Sequence, residues 1–324
     1  MTVHERELTT HQPVKPQLKN SKPFYRSKIF WIPLSIVLAL LLFIYCGVSI
    51  YAANAFTQVS DRPKVFATTP ADYNLAYQEV SFSSAASDKL TLRGWWIPRA
   101  NSRQALILVH GKAESRTAML NESRALWESG YNLLYFDLRG HGTSDGNHYY
   151  FGQYESWDTI GAFNFVKSKG FASEEIGLLG HSMGAATSLL ALGHSSEIKV
   201  VFSDSSFADF GEVASARMPV EKGLPVFFMP GIFTAGRLFF NFDVDQLRPE
   251  VVLKSLSDRH IFLAHGEIDS VIPASHLYRL QRAGGANIVG TWIAPGADHT
   301  KAYDLYPKEY LQRVESFFAT YLAR

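Results

Sequence analysis

The sequence IGLLGHSMGAATSLLALG occupies residues 176–193 and carries the strongest structural pattern of the chain. Its first five residues are apolar or glycine, as in a strand that is buried on both faces. Its last eleven residues are mostly small and apolar, which favours a buried helix. Between them, residues 180–184 fit the pattern G-x-S-x-G, in which a serine stands on a sharp strand-to-helix turn. We therefore predict that the Ser182 hydroxyl is exposed at a strand end, near the positive end of a helix.

Strand and helix patterns alternate on both sides of this stretch. Predicted strands lie at 77–82, 89–98, 105–111, 131–140, 176–182, 199–204, 260–266 and 287–294. Helical patterns lie near 115–129, at 154–169, 183–193 and 307–322, with another between the last two strands. The first two strands read as antiparallel, and the alternation that follows predicts a parallel sheet with helices on both faces. In such sheets the ligand site lies at the carboxyl ends of the strands.

Residues 206–252 interrupt the alternation and are rich in Phe, Met and Pro. The segment is too long for an ordinary loop of a compact domain. We interpret it as a helical cap over the strand ends; the alternative is a set of ordinary core helices. Four of its side chains, Phe227, Phe228, Met229 and Phe233, suggest a site for an apolar acyl or aromatic group.

A serine hydroxyl becomes a nucleophile only when a base takes its proton. With this type of turn, the expected order along the chain is serine, acid, histidine. Asp269 follows the strand at 260–266, and His299 follows the strand at 287–294. We predict that His299 is the base and that Asp269 orients it. The other candidates for the acid are Asp298, Asp243 and Asp245.

Acyl transfer also needs two backbone N–H groups that stabilise a developing oxyanion. One donor is expected from Met183, the residue after the serine. The other is expected from the loop after the strand at 105–111. There we favour the amide of Lys112, with that of Ala113 as the alternative.

The N-terminal region contains no charged residue from Ile29 to Ser60. About twenty helical residues span the hydrocarbon core of a bilayer. We therefore predict a transmembrane helix at 29–53, preceded by a tail at 1–28 and followed by a stalk at 54–75. The globular domain then comprises 76–324. The alternatives are a buried core helix and a cleaved signal peptide, since Ala53-Asn54-Ala55 resembles a cleavage site.

The chain has 31 Lys and Arg against 30 Asp and Glu in 324 residues, a formal net charge of +1. This balance argues against a nucleic-acid partner, which needs a concentrated basic face. Six of the cations and two of the anions lie in residues 1–28. The positive-inside rule therefore predicts a single-pass protein of the cell membrane, with a cytoplasmic N-terminus and the globular domain outside. The single cysteine, Cys46, excludes an intramolecular disulfide and a cysteine-cluster metal site.

Five stretches, in this order along the chain, carry a family resemblance: LVHGKAES (108–115), FDLRGHGTSDG (136–146), LLGHSMGAA (178–186), LAHGEIDSVIP (263–273) and APGADHT (294–300). With them, residues 77–322 resemble the α/β hydrolases, specifically bacterial serine hydrolases similar to monoglyceride lipases and serine aminopeptidase-like hydrolases. The resemblance implies a mostly parallel eight-stranded sheet with a helical cap, and neither a metal nor an organic cofactor. It also implies that Arg139, His141 and Ser144 form a structural turn.

These patterns together predict a membrane-anchored serine hydrolase that cleaves carboxylic esters through an acyl-enzyme. The expected substrate is a small-molecule or lipid-like ester. The alternatives are a thioesterase, an amidase or a peptidase on the same three residues, and a non-enzymatic binding protein that reuses the fold.

Overall fold

The computed structural model describes residues 28–59, 62 and 65–323, with side chains from Trp31 onward. It contains two units, one that ends at Gly47 and one that comprises Val48–Arg324. Helix α1 is Lys28–Thr57, and its portion Trp31–Thr57 is long and apolar enough to cross a membrane, with a mean hydropathy of 2.4 over an 18-residue window. Such a helix near the N-terminus fits a membrane anchor or a signal sequence. The tail predicted at 1–28 lies almost entirely outside the described residues.

Helix α1 extends four residues beyond the boundary predicted at residue 53. We expected residues 54–57 to begin a stalk, but they continue the helix. One face of this part of the helix is buried in the second unit, where Ala53 and Thr57 are both 0 % exposed. The burial of one helix face therefore carries the helix past the apolar stretch that the composition suggested.

The second unit is built on one eight-stranded sheet. Its strands are β1 Gln78–Ser83, β2 Thr91–Ile97, β3 Ala105–Val109, β4 Asn132–Phe136, β5 Ile176–His181, β6 Val200–Asp204, β7 His260–Gly266 and β8 Ile288–Ala294. Their order across the sheet is β1-β2-β4-β3-β5-β6-β7-β8. Strand β2 runs antiparallel to β1 and β4, and the remaining pairs are parallel. This is the mostly parallel eight-stranded sheet of the α/β-hydrolase fold, as predicted.

Helices cover both faces of this sheet. The α-helices that follow α1 are α2 Ser123–Glu128, α3 Glu155–Ser168, α4 Met183–His194, α5 Phe210–Lys222, α6 Met229–Phe239, α7 Pro249–Lys254, α8 Ser275–Gly284, α9 Ala302–Leu305 and α10 Pro307–Tyr321, of which α5 and α6 do not pack on the sheet. Alternate residues of a strand point to opposite faces. In β3, Ile107 packs in the core beneath α3, α4 and α8, whereas Leu106 and Leu108 pack in the core beneath α2 and α10. A strand buried on both faces has to be apolar at every position, and β3 is.

The helix predicted at 115–129 is shorter in the structure, where α2 begins only at Ser123. The start of the predicted range is bound to Asp137 instead. This carboxylate accepts hydrogen bonds from the Arg116 backbone amide and guanidinium, each at 2.8 Å, so this part of the chain is held as a loop against the end of β4.

The cap is smaller than the range 206–252. Helices α5 and α6 form it, whereas α7 packs against α4 and α8 as an ordinary core helix. Two backbone hydrogen bonds close the base of the cap, from the Phe210 amide to the Leu247 carbonyl and from the Glu250 amide to the Ala208 carbonyl. The alternative interpretation of this segment is therefore correct for its last part.

Candidate active site

Ser182 occupies the turn between β5 and α4 with φ 54° and ψ −120°. This left-handed backbone is strained for a residue with a side chain and is found where the structure around it enforces it. Two glycines permit the turn: a Cβ at Gly180 would lie 2.5 Å from the Gly184 carbonyl oxygen, and one at Gly184 only 2.0 Å from the Val109 carbonyl oxygen. The G-x-S-x-G pattern is thus a requirement of close packing between β5, α4 and β3.

His299 and Asp269 converge on this serine from the ends of neighbouring strands. The Ser182 hydroxyl lies 2.7 Å from His299 Nε2, and His299 Nδ1 lies 2.7 Å from Asp269 Oδ2. Asp269 follows β7 and His299 follows β8, at the carboxyl edge of the sheet. The structure thus brings together the three residues predicted from the sequence, in the geometry of a nucleophile, a base and an orienting acid.

The Asp269 carboxylate is held on both oxygens and its side chain is fully buried. Oδ1 accepts hydrogen bonds from the amides of Val271 at 2.9 Å and Ile272 at 2.7 Å. Burial by itself would raise the pKa of this carboxyl. The hydrogen bonds from His265 and His299 outweigh burial and hold the pKa of Asp269 well below its ordinary value.

His265 is a residue that the sequence analysis did not single out. Its Nε2 lies 3.2 Å from Asp269 Oδ2 and 2.7 Å from the Ile272 carbonyl oxygen, and the ring is buried. It therefore contacts the same carboxylate oxygen as His299. Its position four residues before Asp269, at the end of a buried strand, is the sequence feature that could have identified it.

The other acidic candidates lie elsewhere. Asp298 Oδ1 accepts hydrogen bonds from the amides of Ser270 at 2.8 Å and His299 at 2.7 Å, so it braces the loop rather than the imidazole ring. Asp243 and Asp245 pair with Arg237 in the cap. Of the four candidates, only Asp269 contacts the ring of His299.

The loop after β3 lies directly beside the serine, since a Cβ at Gly111 would be 3.3 Å from Ser182 Cβ. The Gly111 amide donates to Glu114 Oε2 at 2.7 Å. The Ala113 amide donates to His141 Nε2 at 3.2 Å. Both amides are therefore engaged within the protein.

The amides of Lys112 and Met183 have no hydrogen-bond acceptor among the residues that the structure describes. Met183 is the first residue of α4, where backbone amides have no partner inside the helix. These two amides are the ones predicted as oxyanion donors, and engagement of the Ala113 amide removes the alternative to Lys112.

His141 has a structural part in this loop. Its Nδ1 lies 2.8 Å from the Arg139 carbonyl oxygen, so Nδ1 carries the proton and Nε2 accepts from Ala113. Burial lowers the pKa of His141 to about 3, which keeps the ring neutral at ordinary pH. Nearby, Arg139 forms a buried ion pair with Asp158 at 2.8 Å.

Ser182 and His299 open into a cavity of about 410 Å³. Its apolar lining comes from α5, from the end of α1, from the first residue of α4 and from loops: Phe210, Val213, Ala214, Met218, Ala55, Phe56, Met183, Tyr149, Phe151, Phe207, Val271 and Ile272. The side chains expected from the cap, Phe227, Phe228, Met229 and Phe233, are not among the lining residues. The apolar character of the site is as expected, but α5 and the end of α1 supply it instead of α6.

Five charged side chains also line this cavity: Lys112, Glu114, Arg217, Glu221 and Lys222. The Lys112 ammonium lies 5.1–5.8 Å from the ring centres of Phe56, Tyr149 and Phe151. Burial among these rings lowers its pKa. Across the described residues, no group of three or more His, Cys, Asp and Glu side chains is placed to hold a metal ion.

With this geometry in place, the chain can be compared with known proteins. A family model described as serine aminopeptidase, S33, matches residues 100–212, which include Ser182. The uncharacterized protein YfhR of Salmonella typhi is 28 % identical over 293 residues, which cover 84 % of this chain and 89 % of YfhR.

Two solved structures have the same fold. The Pyrococcus furiosus esterase Pf2001 superposes with a TM-score of 0.65 at 24 % identity, covering 81 % of this chain and all of the esterase. A Mycobacterium tuberculosis puromycin-hydrolyzing peptidase superposes with a TM-score of 0.61 at 17 % identity, covering 76 % of this chain and 40 % of the peptidase. The chain is thus an α/β hydrolase by fold, similar to the serine aminopeptidase-like hydrolases, and its esterase and peptidase neighbours support a hydrolase.

Proposed function

We propose that the protein is a serine hydrolase that cleaves carboxylic esters through an acyl-enzyme. The observation that carries this proposal is the chain of two 2.7 Å hydrogen bonds from Ser182 through His299 to the buried Asp269, at the floor of a largely apolar cavity.

The reaction follows from these contacts. His299 Nε2 takes the proton of the Ser182 hydroxyl as its oxygen attacks the acyl carbonyl carbon. Asp269, ionised at ordinary pH, keeps the proton of His299 on Nδ1 and stabilises the charged ring. The amides of Lys112 and Met183 stabilise the oxyanion. The leaving alcohol takes the proton from His299, and a water molecule then repeats the sequence to release the acid and free Ser182.

The two carboxylates in the cavity already have partners within the protein, which favours an ester over an aminopeptidase substrate. A free amino terminus needs a carboxylate that can pair with it. Glu114 already accepts the Gly111 amide, and Glu221 forms an ion pair with Arg217 at 2.6 Å. These are the two acidic side chains among the described residues that line the cavity.

We further propose that residues 29–53 anchor the protein in the cell membrane, with the N-terminus in the cytoplasm and the catalytic unit outside. A signal peptide cleaved after Ala55 would remove Ser49 and Ala53, which are 2 % and 0 % exposed, from the core of the unit. Burial of these residues therefore favours an uncleaved helix. A protease that digests the catalytic unit from the outside of intact cells, and N-terminal sequencing of the membrane fraction, test the two parts of this proposal.

The test of the activity is hydrolysis of p-nitrophenyl esters of increasing acyl length by the full chain in detergent. Ser182→Ala should lose at least about 10³-fold in kcat, and should no longer be labelled by a fluorophosphonate. The matched control is Ser257→Ala, at an exposed position, which should keep both activity and labelling.

Hydrolysis of aminoacyl p-nitroanilides in preference to esters would contradict the choice of substrate class. Labelling of Ser182 without hydrolysis of any ester would leave a reactive serine with a thioester or amide substrate. No labelling and no hydrolysis would favour a binding protein that reuses the fold.

A further inference from the structure

The end of the apolar helix α1 is part of the catalytic unit. Ser49, Ala53 and Thr57, spaced four residues apart on one helix face, are 2 %, 0 % and 0 % exposed. The Phe56 ring stacks on Phe151 with 4.7 Å between ring centres. Phe56 also lies within 6.0 Å of the rings of Phe210 and Phe242.

The residues that follow α1 are bound to the same unit. The Tyr149 amide donates to the Thr57 carbonyl at 3.0 Å, and the Val59 amide donates to the Asn147 carbonyl at 3.1 Å. Arg62 Nη1 donates to the Ser144 carbonyl at 2.7 Å. The chain therefore passes from α1 into the catalytic unit with its backbone already hydrogen-bonded.

This junction also contributes to the active-site cavity, because Ala55, Phe56 and Gln58 line it together with Ser182 and His299. A bilayer core accommodates about twenty helical residues, which corresponds to residues 29–47, the part of α1 that precedes the second unit. Nine residues then separate Gly47 from Phe56, about 14 Å along a helix and at most about 32 Å for a fully extended chain. A wall of the cavity therefore lies within that distance of the hydrocarbon.

The cap adds a second, independent observation. Large apolar side chains at its surface are at least half exposed: Val220 80 %, Val226 54 %, Phe227 62 %, Leu238 69 % and Phe239 61 %. Helix α5, which carries Val220, also lines the cavity. Clusters of exposed apolar side chains mark surfaces that contact a protein or a membrane. Because the adjoining helix α1 is long and apolar enough to cross a membrane, we assign this surface to contact with a bilayer.

We propose that the catalytic unit rests on the bilayer and takes its ester directly from it, through a cavity partly walled by the end of α1. This inference rests on the proposed ester hydrolysis and on an uncleaved α1. It assigns Phe56 to the substrate site and the exposed side chains of the cap to contact with lipid.

A spacer at the junction tests this inference. Gly47 is the last residue of the first unit, and a Cβ there would meet no atom within 4 Å. A flexible Gly/Ser spacer of about twelve residues between Gly47 and Val48 would have a root-mean-square span of about 19 Å. The full-length variant and the parent are reconstituted in phosphatidylcholine vesicles that contain 4-methylumbelliferyl oleate, and each is also assayed with water-soluble 4-methylumbelliferyl acetate. The same spacer placed between Lys19 and Asn20 is the control.

The expected result is a fall of at least tenfold in hydrolysis of the oleate by the Gly47–Val48 spacer variant, with hydrolysis of the acetate within twofold of the parent. An unchanged rate on the oleate would overturn the proposal. A parent enzyme that cleaves neither ester would refute the proposed function instead.

A second variant covers the case in which the spacer disturbs folding and lowers both rates. Phe227→Ser combined with Leu238→Ser changes two exposed positions that do not line the cavity. It should lower hydrolysis of the vesicle-bound oleate at least threefold and leave hydrolysis of the acetate unchanged. If this double variant keeps the parent rate on the oleate, the cap does not contact the bilayer and the proposal is wrong.

Discussion

Asp269 holds the ring of His299 at 2.7 Å, although the two residues are separated by 30 positions and reach the site from the ends of different strands. The carboxylate oxygen that contacts the ring also lies 3.2 Å from His265. Two imidazoles therefore converge on one buried oxygen, and only the one on His299 contacts the serine. This contact supports Asp269 as the acid of the proposed site more directly than the order of residues along the chain does.

Asp269→Asn should lower kcat by about 10⁴-fold with little change in KM, because an amide can no longer hold the required tautomer of His299. Asp298→Asn removes the neighbouring carboxylate, which contacts only backbone amides of the loop, and should retain most of the activity. Steady-state kinetics on a short p-nitrophenyl ester compare the two variants. Equal losses of kcat in the two variants would show that Asp269 is not the residue that orients His299.

Lys112→Pro should lower kcat by about 10²–10³-fold, since proline removes one backbone donor to the oxyanion. Lys112→Gln keeps the amide and should stay within about threefold of the parent on a neutral ester. Circular dichroism verifies that both variants are folded. A severe loss of activity in the glutamine variant would show that the ammonium group of Lys112, and not its backbone amide, is needed for catalysis.

Phe56→Ala should change the acyl preference, because it removes one wall of the cavity. We expect the ratio of kcat/KM for a long-chain ester over acetate to change at least fivefold. Tyr51→Ala, on the same helix but 75 % exposed, should leave this ratio unchanged. An unaltered profile in both variants would exclude Phe56 from the substrate site.

Glu122 makes the stability of the protein depend on pH. Burial raises the pKa of this carboxyl to about 8, and one of its oxygens has no hydrogen-bond partner among the described residues. Because the folded state then holds the proton more tightly than the unfolded state, the free energy of unfolding falls as the pH rises from about 5 to 8. Glu122→Gln should remove this dependence and gain at least about 1.4 kcal/mol over the parent at pH 8, one pKa unit's equivalent.

Thermal unfolding of the full chain in detergent at pH 5 and pH 8.5 measures this effect. Glu128→Gln, at an exposed position, serves as the control and should follow the parent at both pH values. A parent whose stability is the same at both pH values would contradict a raised pKa for Glu122.

The sequence was sufficient for the sheet and for the three central residues. The buried strands are apolar along most of their length, and the turn at Ser182 needs glycine at 180 and 184 because backbone atoms of Val109 and Gly184 approach so closely. These requirements concern residues that are close along the chain, so short segments of the sequence are enough to predict them. The choice of Asp269 over Asp298 depended on the same logic, since its place after a strand end brings it to the carboxyl edge of the sheet.

The identity of the cavity wall required the tertiary structure. From the composition we expected the Phe- and Met-rich part of the cap to line the cavity. In the structure α5 and the end of α1 line it instead. A hydrophobic pattern shows that a face is buried but not which neighbour it contacts. For the same reason α7 belongs to the core, and Phe56, 126 positions before Ser182, lines the cavity at that serine. Periodicity along a chain determines which elements form; contacts between distant elements, which depend on how those elements pack in three dimensions, determined what surrounds the serine.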